Sequence, residues 1–429
     1  MKDHTYPVDY PIWHPFTQGL TDKAPVHIEK AKGALLYGTE AREYIDGVSS
    51  WWVNLHGHCH PVIARAITEQ AQKLDQVIFA GFTHTGAMEF ARELLEFLPG
   101  DMSKIFFSDN GSTSIEVGIK MALQYWYNLG EKKQTIVALE HSYHGDTFGS
   151  MSVSQRGAFN RPFSDLLFDV EFISSPGDLN QVDKAKEPDQ VLREFQKIAE
   201  TGKVAAFIYE PLVQGAGGML MYEPGVLDGL LELCRTHGII AIADEVMTGF
   251  GRTGKFFAGQ YLKHNPDIIC LSKGITGGVL PMGATATNMR IYDAFLSGDR
   301  TKTFFHGHSY TGNALSIAAA RASLGLLKNS MPQIQNIEKR HKDFLPTLGA
   351  LKNVQRARSR GTILAFDVVS NQETSYFNSL RDRLYDGFLN RGVLLRPLGN
   401  VVYVMPPYCI EPAQLGKIYE AIIEVVSGL

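Results

Sequence analysis

The sequence of 429 residues has few cysteines, no long apolar run and no large excess of charge of either sign. The four cysteines, Cys59, Cys234, Cys270 and Cys409, are far apart and form no CxxC pair. This pattern excludes a disulfide framework and suits a reducing compartment. No apolar run approaches the ~20 residues of a membrane helix, and the first residues lack the apolar segment of a secretory signal. We therefore expect a cytoplasmic protein.

The charges nearly cancel, with 41 Lys and Arg against 45 Asp and Glu. This balance offers neither the basic surface typical of nucleic-acid-binding proteins nor a polybasic patch for an anionic membrane. Hydrophobic residues make up 44% and charged residues 20%, as in ordinary globular proteins rather than disordered or fibrous ones. We expect a soluble enzyme or binding protein, with neither nucleic acid nor a membrane as its partner.

Three stretches of different pattern divide the sequence. Residues 1–60, rich in Pro, Gly, His and aromatics, predict an irregular arm that contributes to the small domain and the active site. Residues 61–327 alternate helical periods with short apolar strands, which predicts a large α/β domain with a mainly parallel sheet. Residues 328–429 predict a smaller α+β domain. The strands expected in the large domain are Ile105–Ser108, Thr135–Leu139, Val204–Tyr209, Ile239–Ala243 and Ile268–Ser272.

The first candidate binding feature is the turn between the strand that ends at Ser108 and the helix that follows it. Gly111 and Ser112 stand at the start of this helix. Free N–H groups and the positive end of the helix dipole can hold a phosphate there. Ser and Asn are also preferred N-cap residues, so an ordinary helix cap is the alternative interpretation.

Two further apolar strands end at ionisable side chains. One strand ends at Asp244 and the next at Lys273. A carboxylate at the carboxyl edge of a parallel sheet can hold a cationic ring nitrogen, although it can also simply cap the next element. A lysine emerging from a buried strand is unusual, and burial lowers its pKa towards that of an amine usable for imine formation. Together with Gly111 and Ser112, these residues predict a pyridoxal phosphate site.

Two other patterns point to different ligands. Gly249–Gly254 fits GxGxxG, and extension to Lys255 resembles a phosphate-binding P-loop. Phe256 occupies the P-loop position of the Mg²⁺-binding Ser or Thr, and no helical period follows directly. A nucleotide-binding regulatory or transport module built on this segment is the alternative from a different class. The histidine-rich segment His56–His60 resembles a metal cluster, but its alternating ligands surround one tetrahedral ion poorly, so we expect a turn and no metal.

Motifs spread over nearly the whole chain carry a resemblance to a known family. The general motifs are Tyr143-His144-Gly145, Glu210-Pro211, Gln214-Gly215, Asp244-Glu245-Val246, Gly249–Gly254, Lys273-Gly274 and Thr311-Gly312-Asn313. More specific motifs are Ser49-Ser50-Trp51-Trp52, Gln124-Tyr125-Trp126, His144-Gly145-Asp146-Thr147, Gly215–Met219 and Met405–Tyr408. The general set resembles the class III, fold-type I aminotransferases that use pyridoxal phosphate. The specific set resembles the branch of that family that aminates 8-amino-7-oxononanoate to 7,8-diaminononanoate in biotin biosynthesis.

The resemblance implies the family's fold, with a seven-stranded type of sheet in the large domain, and a homodimer with shared active sites. It implies that Lys273 is the imine lysine and proton carrier, Asp244 the partner of the ring nitrogen, and Tyr143 the residue stacked on the ring. Phosphate contacts are implied for Gly111 and Ser112, joined by His308 and Ser309 of the partner subunit. Substrate contacts are implied for Phe16, Trp51, Tyr143, Lys273, Gly307 and Arg396, with Arg396 as the clamp for a carboxylate.

Three positions depart from the family's pattern. Phe16 stands where family members have Tyr, His308-Ser309 where they often have Pro-Thr, and Ser142 where they have Gly. Ser309 can still donate a hydroxyl to a phosphate. Because Phe16 lacks the hydroxyl, the amino donor stays open, with S-adenosyl-L-methionine first and lysine second. The rival within the family is another ω-aminotransferase, acting on ornithine, 4-aminobutyrate or a polyamine.

Overall fold

The computed structural model describes residues 10–39, 42–176, 188–372, 374 and 376–429. The strands are β1 Ile28–Lys32, β2 Leu35–Gly38, β3 Glu43–Asp46, β4 Met102–Ser108, β5 Thr135–Leu139, β6 Glu171–Ile173, β7 Val204–Tyr209, β8 Val213–Gln214, β9 Leu220–Met221, β10 Ile240–Asp244, β11 Ile268–Leu271, β12 Gly283–Asn288, β13 Val354–Arg360, β14 Ile363–Val368, β15 Val393–Leu394 and β16 Val401–Val404. The helices are α1 Ser49–Trp52, α2 Pro61–Ala71, α3 Thr85–Leu95, α4 Gly111–Leu129, α5 Phe148–Ser152, α6 Pro188–Ala199, α7 Pro224–His237, α8 Met289–Asp293, α9 Ala314–Leu327, α10 Met331–Gly349, α11 Leu380–Leu389 and α12 Pro412–Ser427. Within these described ranges, none of the helices combines the length and the apolar character needed to cross a membrane.

A seven-stranded sheet lies at the centre of the large domain, in the order β4-β12-β11-β10-β7-β5-β6. Five of the strands run parallel to one another, namely β6, β5, β7, β10 and β11. Strand β12 is antiparallel to both β11 and β4. The α/β fold with a mainly parallel seven-stranded sheet, predicted from the sequence, is therefore confirmed.

The central strands form because their residues are apolar on both faces of the sheet. Every residue of β7, β10 and β11 is buried. In β10, Ile240 and Ile242 pack in a core shared with α4, whereas Ala241 and Ala243 join the core on the opposite face. Helices therefore cover both faces, and the carboxyl ends of the strands are held at a fixed edge.

Some element boundaries differ from the prediction. Strand β12 was not predicted, because its sequence Gly-Ala-Thr-Ala-Thr-Asn carries no bulky apolar residue although the whole strand is buried. Strand β13 was also missed, because Arg and Gln interrupt its apolar residues. Within the predicted α+β domain, the helical pattern of the sequence covers residues 373–391. The structure has the shorter helix α11 there, and residues 373 and 375 lie outside the described residues. The start of the predicted arm, residues 1–9, also lies outside them.

The N-terminal arm joins the C-terminal part of the chain in a second sheet, with the order β1-β2-β3-β15. Strand β15 pairs in parallel with β3, with Val393 opposite Ile45 and Leu394 opposite Asp46. The segments that follow these two strands carry Trp51 and Arg396, so the pairing brings both side chains into one region. The domain boundaries at residues 60 and 327 stay a prediction.

A buried ion-pair cluster connects the C-terminal sheet β13-β14-β16 to the large domain. Arg358 donates to Oδ1 of Asp367 at 2.8 Å and to the carbonyl oxygens of Met219 at 2.8 Å and Gly218 at 2.6 Å. Arg356 donates to the other oxygen of the same carboxylate. The side chain of Asp367 has 0% of its surface exposed and that of Arg358 only 4%. The carboxylate therefore balances a guanidinium that water does not reach.

Replacement of Asp367 by Ala should lower the free energy of unfolding by about 3–5 kcal/mol, because it leaves a buried guanidinium without its counter-charge. Denaturant unfolding at one fixed protein concentration measures this loss. The control is Lys339→Ala, which breaks a pair whose side chains are 75% and 61% exposed. That pair should contribute only about 0.3–0.5 kcal/mol. Equal losses in the two variants would contradict the role given to the buried cluster.

Candidate active site

Two neighbouring parallel strands bring Asp244 and Lys273 to the same edge of the sheet. Strand β10 ends at Asp244, which lies opposite Cys270 of β11 in the register. Lys273 follows Ser272, whose hydroxyl is fixed by donation to the carbonyl oxygen of Met282 at 2.7 Å. Lys273 itself has φ of +46°, a conformation that side chains other than glycine rarely adopt. Such strained backbone is concentrated at functional sites, where the surrounding structure enforces it.

The side chain of Lys273 is half-buried, and its amine lies against an aromatic ring. Its Nζ lies 4.5 Å from the centre of the Trp52 ring. Burial is the main cause that lowers its pKa to about 8, and the charge of Arg252 lowers it further. The carboxylates of Asp244 and Glu210 oppose this change. A substantial fraction of this lysine is therefore a neutral, nucleophilic amine near neutral pH.

The carboxylate of Asp244 is held in one orientation by two partners. His144 Nδ1 lies 2.7 Å from Oδ2, and the backbone N–H of Val246 donates to Oδ1 at 3.0 Å. Asp244 is buried, and the His144 side chain has no exposed surface. A fixed carboxylate in a region of low dielectric stabilises a positive charge placed against it.

The start of α4 combines both interpretations of the Gly111–Ser112 turn. Asn110 is the N-cap residue, and its side chain accepts a hydrogen bond from Thr113 N at 3.0 Å. The cap satisfies the N–H of Thr113 and leaves those of Gly111 and Ser112, which come too early in the helix to have an intrahelical acceptor. These groups and the helix dipole form an anion-binding site.

The loop that carries Tyr143 packs directly against Ser112. The hydroxyl of Ser112 accepts a hydrogen bond from Asp146 N at 3.1 Å. Gly145 has φ of +137°, and a Cβ at this position would lie 2.2 Å from Ser112 Oγ. Only glycine allows this approach, which explains the third residue of the Tyr-His-Gly motif.

Glu210 fixes the other side of Tyr143. Its carboxylate accepts hydrogen bonds from Tyr143 N at 3.0 Å and from Gly215 N at 2.9 Å. Burial raises the pKa of Glu210 to about 7, although the nearby His144 and these two N–H groups oppose the rise. Burial also raises the pKa of the Tyr143 phenol, and the nearby carboxylate of Asp146 adds to this effect. The phenol therefore stays protonated at neutral pH.

A cavity of about 550 Å³ lies between the N-terminal arm and the C-terminal part of the chain. Its walls include Phe16, Trp51 and Arg396. The guanidinium carbon of Arg396 lies 4.5 Å from the centre of the Trp51 ring, and Phe16 meets the same ring edge-on at 5.5 Å. No carboxylate of the described residues forms an ion pair with Arg396. The structure therefore brings together three of the predicted substrate-binding residues around a free cation.

The structure does not bring Gly307, His308 and Ser309 to the same place within one chain. The carbonyl oxygen of Ser309 accepts a hydrogen bond from Gln76 Nε2 at 3.1 Å, and His308 N donates to Thr311 Oγ1 at 3.1 Å. Across the described part of the chain, no hydrogen bond joins this segment to Gly111, Ser112 or Lys273.

Sequence reasoning missed the positions of several residues in the site. Trp52 was noticed only as part of a family motif; it is buried, and its ring faces the amine of Lys273. Its Nε1 donates to the Tyr403 hydroxyl at 2.9 Å. His144 and Glu210 were named only as members of family motifs, without a role in the site. No periodicity or spacing in the sequence shows which of two adjacent tryptophans turns inwards, because this depends on the kinked backbone of α1.

The glycine-rich and histidine-rich segments have structural roles. Turns and a short 3-10 helix, Ala258–Tyr261, follow Gly249–Gly254, so no α-helix N-terminus stands there to receive a phosphate. Arg252 of this segment is buried, and it donates to the carbonyl oxygens of Trp52, Asn54 and Pro406. In the histidine segment, His58 bonds Asp46 at 2.8 Å. No group of three metal-ligating side chains converges among the residues that the structure describes.

These features fit the three reactive parts of pyridoxal phosphate. The free N–H groups of Gly111 and Ser112 suit its phosphate, the oriented carboxylate of Asp244 suits its ring nitrogen, and the amine of Lys273 suits its aldehyde. The buried His144 Nε2 and Ser108 Oγ have no hydrogen-bond partner, as expected beside a site made for a further polar group. The fold and the site define an enzyme that depends on pyridoxal phosphate.

The chain belongs to the class-III aminotransferase family, whose family model matches residues 18–426. An adenosylmethionine-8-amino-7-oxononanoate aminotransferase of Synechococcus elongatus is 49% identical over 97% of this chain and 99% of its own. The enzyme of the same name from Staphylococcus aureus is 37% identical over 94% of this chain and 92% of its own. The solved structure of the enzyme of that name from Methanocaldococcus jannaschii gives a TM-score of 0.88 at 34% identity, and covers 96% of this chain and 97% of its own.

The pKa of Lys273 leads to a prediction for the cofactor-free protein. Its rate of labelling by an amine-specific reagent should rise with pH around a midpoint of about 8, because burial disfavours the ammonium form. Mass spectrometry of the peptide that contains Lys273 measures this rate. The control is Nα-acetyl-lysine, whose ε-amine is free. Labelled in parallel, it should show the ordinary midpoint of about 10.4. Equal midpoints for the protein and the free amino acid would contradict the desolvation of this amine.

Proposed function

We propose that this aminotransferase transfers an amino group from S-adenosyl-L-methionine to 8-amino-7-oxononanoate and so forms 7,8-diaminononanoate for biotin biosynthesis. The observation that carries the proposal is the unpaired guanidinium of Arg396 against Trp51 in the 550 Å³ cavity. Trp51 lines this cavity, and the adjacent Trp52 faces Lys273. A long substrate with a terminal carboxylate can therefore bind Arg396 and extend towards the reactive amine. The relatives named for this reaction, which match nearly the whole chain, support the same substrate.

Pyridoxal phosphate, when bound, supplies an electron sink for the negative charge that develops when a substrate carbon loses its proton. Lys273 would hold the cofactor through its Nζ, and the same Nζ would carry the proton, because a pKa of about 8 suits both uptake and release near neutral pH. Asp244 keeps a positive charge on the ring nitrogen, and His144 keeps the carboxylate of Asp244 in position. Gly111 and Ser112 bind the phosphate.

The donor and the acceptor use the same cavity in turn, as in a double displacement. The acceptor carries a carboxylate at the far end of its aliphatic chain, and the planar fork of Arg396 matches carboxylate geometry with two parallel hydrogen bonds. Tyr143, whose loop is held by Glu210, covers the ring and borders the substrate. Phe16 and Trp51 supply apolar walls for the aliphatic chain of the acceptor.

Residues Gly307, His308 and Ser309 act in the active site of the partner subunit of a homodimer. Among the described residues, His308 and Ser309 form no hydrogen bond with Gly111, Ser112 or Lys273 of their own chain, although Lys120 of α4 contacts the neighbouring Phe305 and His306. Nearby large apolar side chains are highly exposed in the single chain, at 71% for Phe305 and 67% for Tyr310. An apolar surface of this kind is typical of an interface between subunits. The enzyme acts in the cytoplasm, and its four free thiols support this assignment.

Phe16 bears on the choice of amino donor. Its ring lies 5.5 Å from Trp51 and 5.8 Å from Phe159, in a group of aromatic faces that suits an adenine ring. The hydroxyl that Phe16 lacks would add about 0.5–1.5 kcal/mol of binding to a polar partner. This loss is too small to exclude adenosylmethionine. Lysine is the second candidate, because a smaller donor does not need that hydrogen bond.

Purified holoenzyme should form 7,8-diaminononanoate from 8-amino-7-oxononanoate with adenosylmethionine as the donor, and less efficiently with lysine. Mass spectrometry of the product and single-turnover loss of the bound cofactor's visible absorbance measure the two steps separately. Lys273→Ala should be inactive with both donors, and borohydride should attach the cofactor to Lys273 in the parent protein. If ornithine or 4-aminobutyrate reacts and 8-amino-7-oxononanoate does not, the enzyme is another ω-aminotransferase.

Removal of the carboxylate clamp should weaken the acceptor specifically. Arg396→Ala should cost about 1.5–3 kcal/mol in its binding, the usual range for hydrogen bonds to charged groups. This corresponds to a rise in KM of roughly 10- to 150-fold. The variant should also no longer distinguish the acid from its methyl ester.

Arg391 provides the matched control for this change. It stands close to Arg396 in the sequence, but it pairs with Glu424 at 2.7 Å, and 38% of its side chain is exposed. Arg391→Ala should keep the parental preference for the acid. Unchanged discrimination between acid and ester in Arg396→Ala would show that another residue binds the carboxylate.

A further inference from the structure

Glu116 lies in the second turn of α4, and its carboxylate binds the loop of residues 145–150. Oε1 of Glu116 accepts hydrogen bonds from Thr147 Oγ1 at 2.6 Å, Gly149 N at 2.7 Å and Ser150 N at 3.2 Å. Hydrogen bonds to an ionised acceptor are about twice as strong as neutral ones. The N-cap residue of α5 is Thr147. Its side chain accepts no hydrogen bond from the backbone N–H groups of the helix. Glu116 therefore satisfies the first N–H groups of α5 from a different element.

The loop is fitted closely around this carboxylate. A Cβ on Gly149 would lie 2.1 Å from Glu116 Oε2. A side chain at residue 149 would therefore displace the Glu116 carboxylate from this position. The close fit fixes the loop's position relative to α4 as well as its hydrogen bonds.

The same loop, residues 145–150, also contacts the proposed cofactor-binding residues. Asp146 N donates to Ser112 Oγ at 3.1 Å, and the carboxylate of Asp146 lies close enough to the Tyr143 phenol to raise its pKa. A Cβ on Gly145 would lie 2.2 Å from Ser112 Oγ and 2.8 Å from Ser150 Oγ. A displacement of this loop would therefore move Ser112 and Tyr143 together.

We propose that Glu116 is a positioning residue, which holds the 145–150 loop in place and thereby orients Ser112 and Tyr143 towards the cofactor. The inference rests on the proposed binding of the cofactor's phosphate by Ser112. A negative charge close to a phosphate by itself weakens phosphate binding. The positioning effect and the charge effect of Glu116 therefore have opposite signs, so an experiment can separate them.

The test compares the affinities of the cofactor-free protein for pyridoxal phosphate and for pyridoxal, which lacks the phosphate. Quenching of tryptophan fluorescence measures both dissociation constants. Glu116→Ala should weaken pyridoxal phosphate at least tenfold and pyridoxal much less, so the ratio of the two affinities falls. Glu116→Gln keeps an oxygen that accepts from Gly149 N and should restore most of the ratio. Glu420→Ala, which removes an exposed carboxylate of α12, should leave it unchanged.

Several outcomes would overturn the inference. An equal loss for both ligands in Glu116→Ala would show general destabilisation of the fold, and tighter binding of pyridoxal phosphate would show that the charge effect dominates. A Glu116→Gln variant as weak as Glu116→Ala would exclude the role of the acceptor oxygen. If Glu116→Ala does not fold, Thr147→Val removes one of the three donors, and an unchanged ratio there overturns the proposal.

Ser112→Ala distinguishes a failure of this inference from a failure of the proposed function. If Ser112 binds the phosphate, this variant should also lower the ratio of affinities. A lowered ratio in Ser112→Ala with a parental ratio in Glu116→Ala refutes the positioning role alone. A parental ratio in Ser112→Ala shows that the Ser112 hydroxyl does not bind the phosphate and refutes the inference, whereas the proposed function, in which the backbone N–H groups of Gly111 and Ser112 bind it, stands.

Discussion

The partial desolvation of the Lys273 amine is the constraint on which the rest of the active site depends. The lysine leaves a fully buried strand, and the ring of Trp52 covers its Nζ. Desolvation disfavours the ammonium, whereas Asp244 and Glu210 favour it, and the balance places the pKa at about 8. A more polar environment would leave the amine protonated. A drier one without these carboxylates would make it a weaker carrier of protons.

The environment of this lysine is assembled from parts of the chain that are far apart in sequence. Strand β3 pairs with β15, and the segments after these strands bring Trp51 and Arg396 together. The buried carboxylate of Asp367 holds Arg358 against the backbone of Gly218 and Met219. Gly215, at the start of that turn, donates to Glu210. The C-terminal part of the chain therefore contributes to the cavity wall through Arg396 and also contacts, through Arg358, the turn that begins at Gly215.

The sequence allowed the prediction of the strands whose apolar residues are buried on both faces, and β5 and β7 have the predicted bounds. It did not allow the prediction of β12, where Ala and Thr fill a buried strand without a hydrophobic signal. Lys273 and Asp244 could be predicted as site residues because each ends such a strand. The cap and phosphate interpretations of Gly111–Ser112 could not be separated, because both require the same residue types. The positions of Trp52, His144 and Glu116 depend on contacts between distant segments, which local patterns do not contain.

The pairing of Ile45 with Val393 has a consequence for the order in which the protein can assemble during its synthesis. Asp244 and Lys273 can take their places once the central sheet has formed, because all its strands precede residue 289. The N-terminal arm is translated before the strands of the central sheet, whereas its partner strand β15 is translated after them. Contacts so distant in sequence form slowly, because a long loop must close before they are gained. A nascent chain therefore has its reactive lysine well before it has a pocket that selects a substrate.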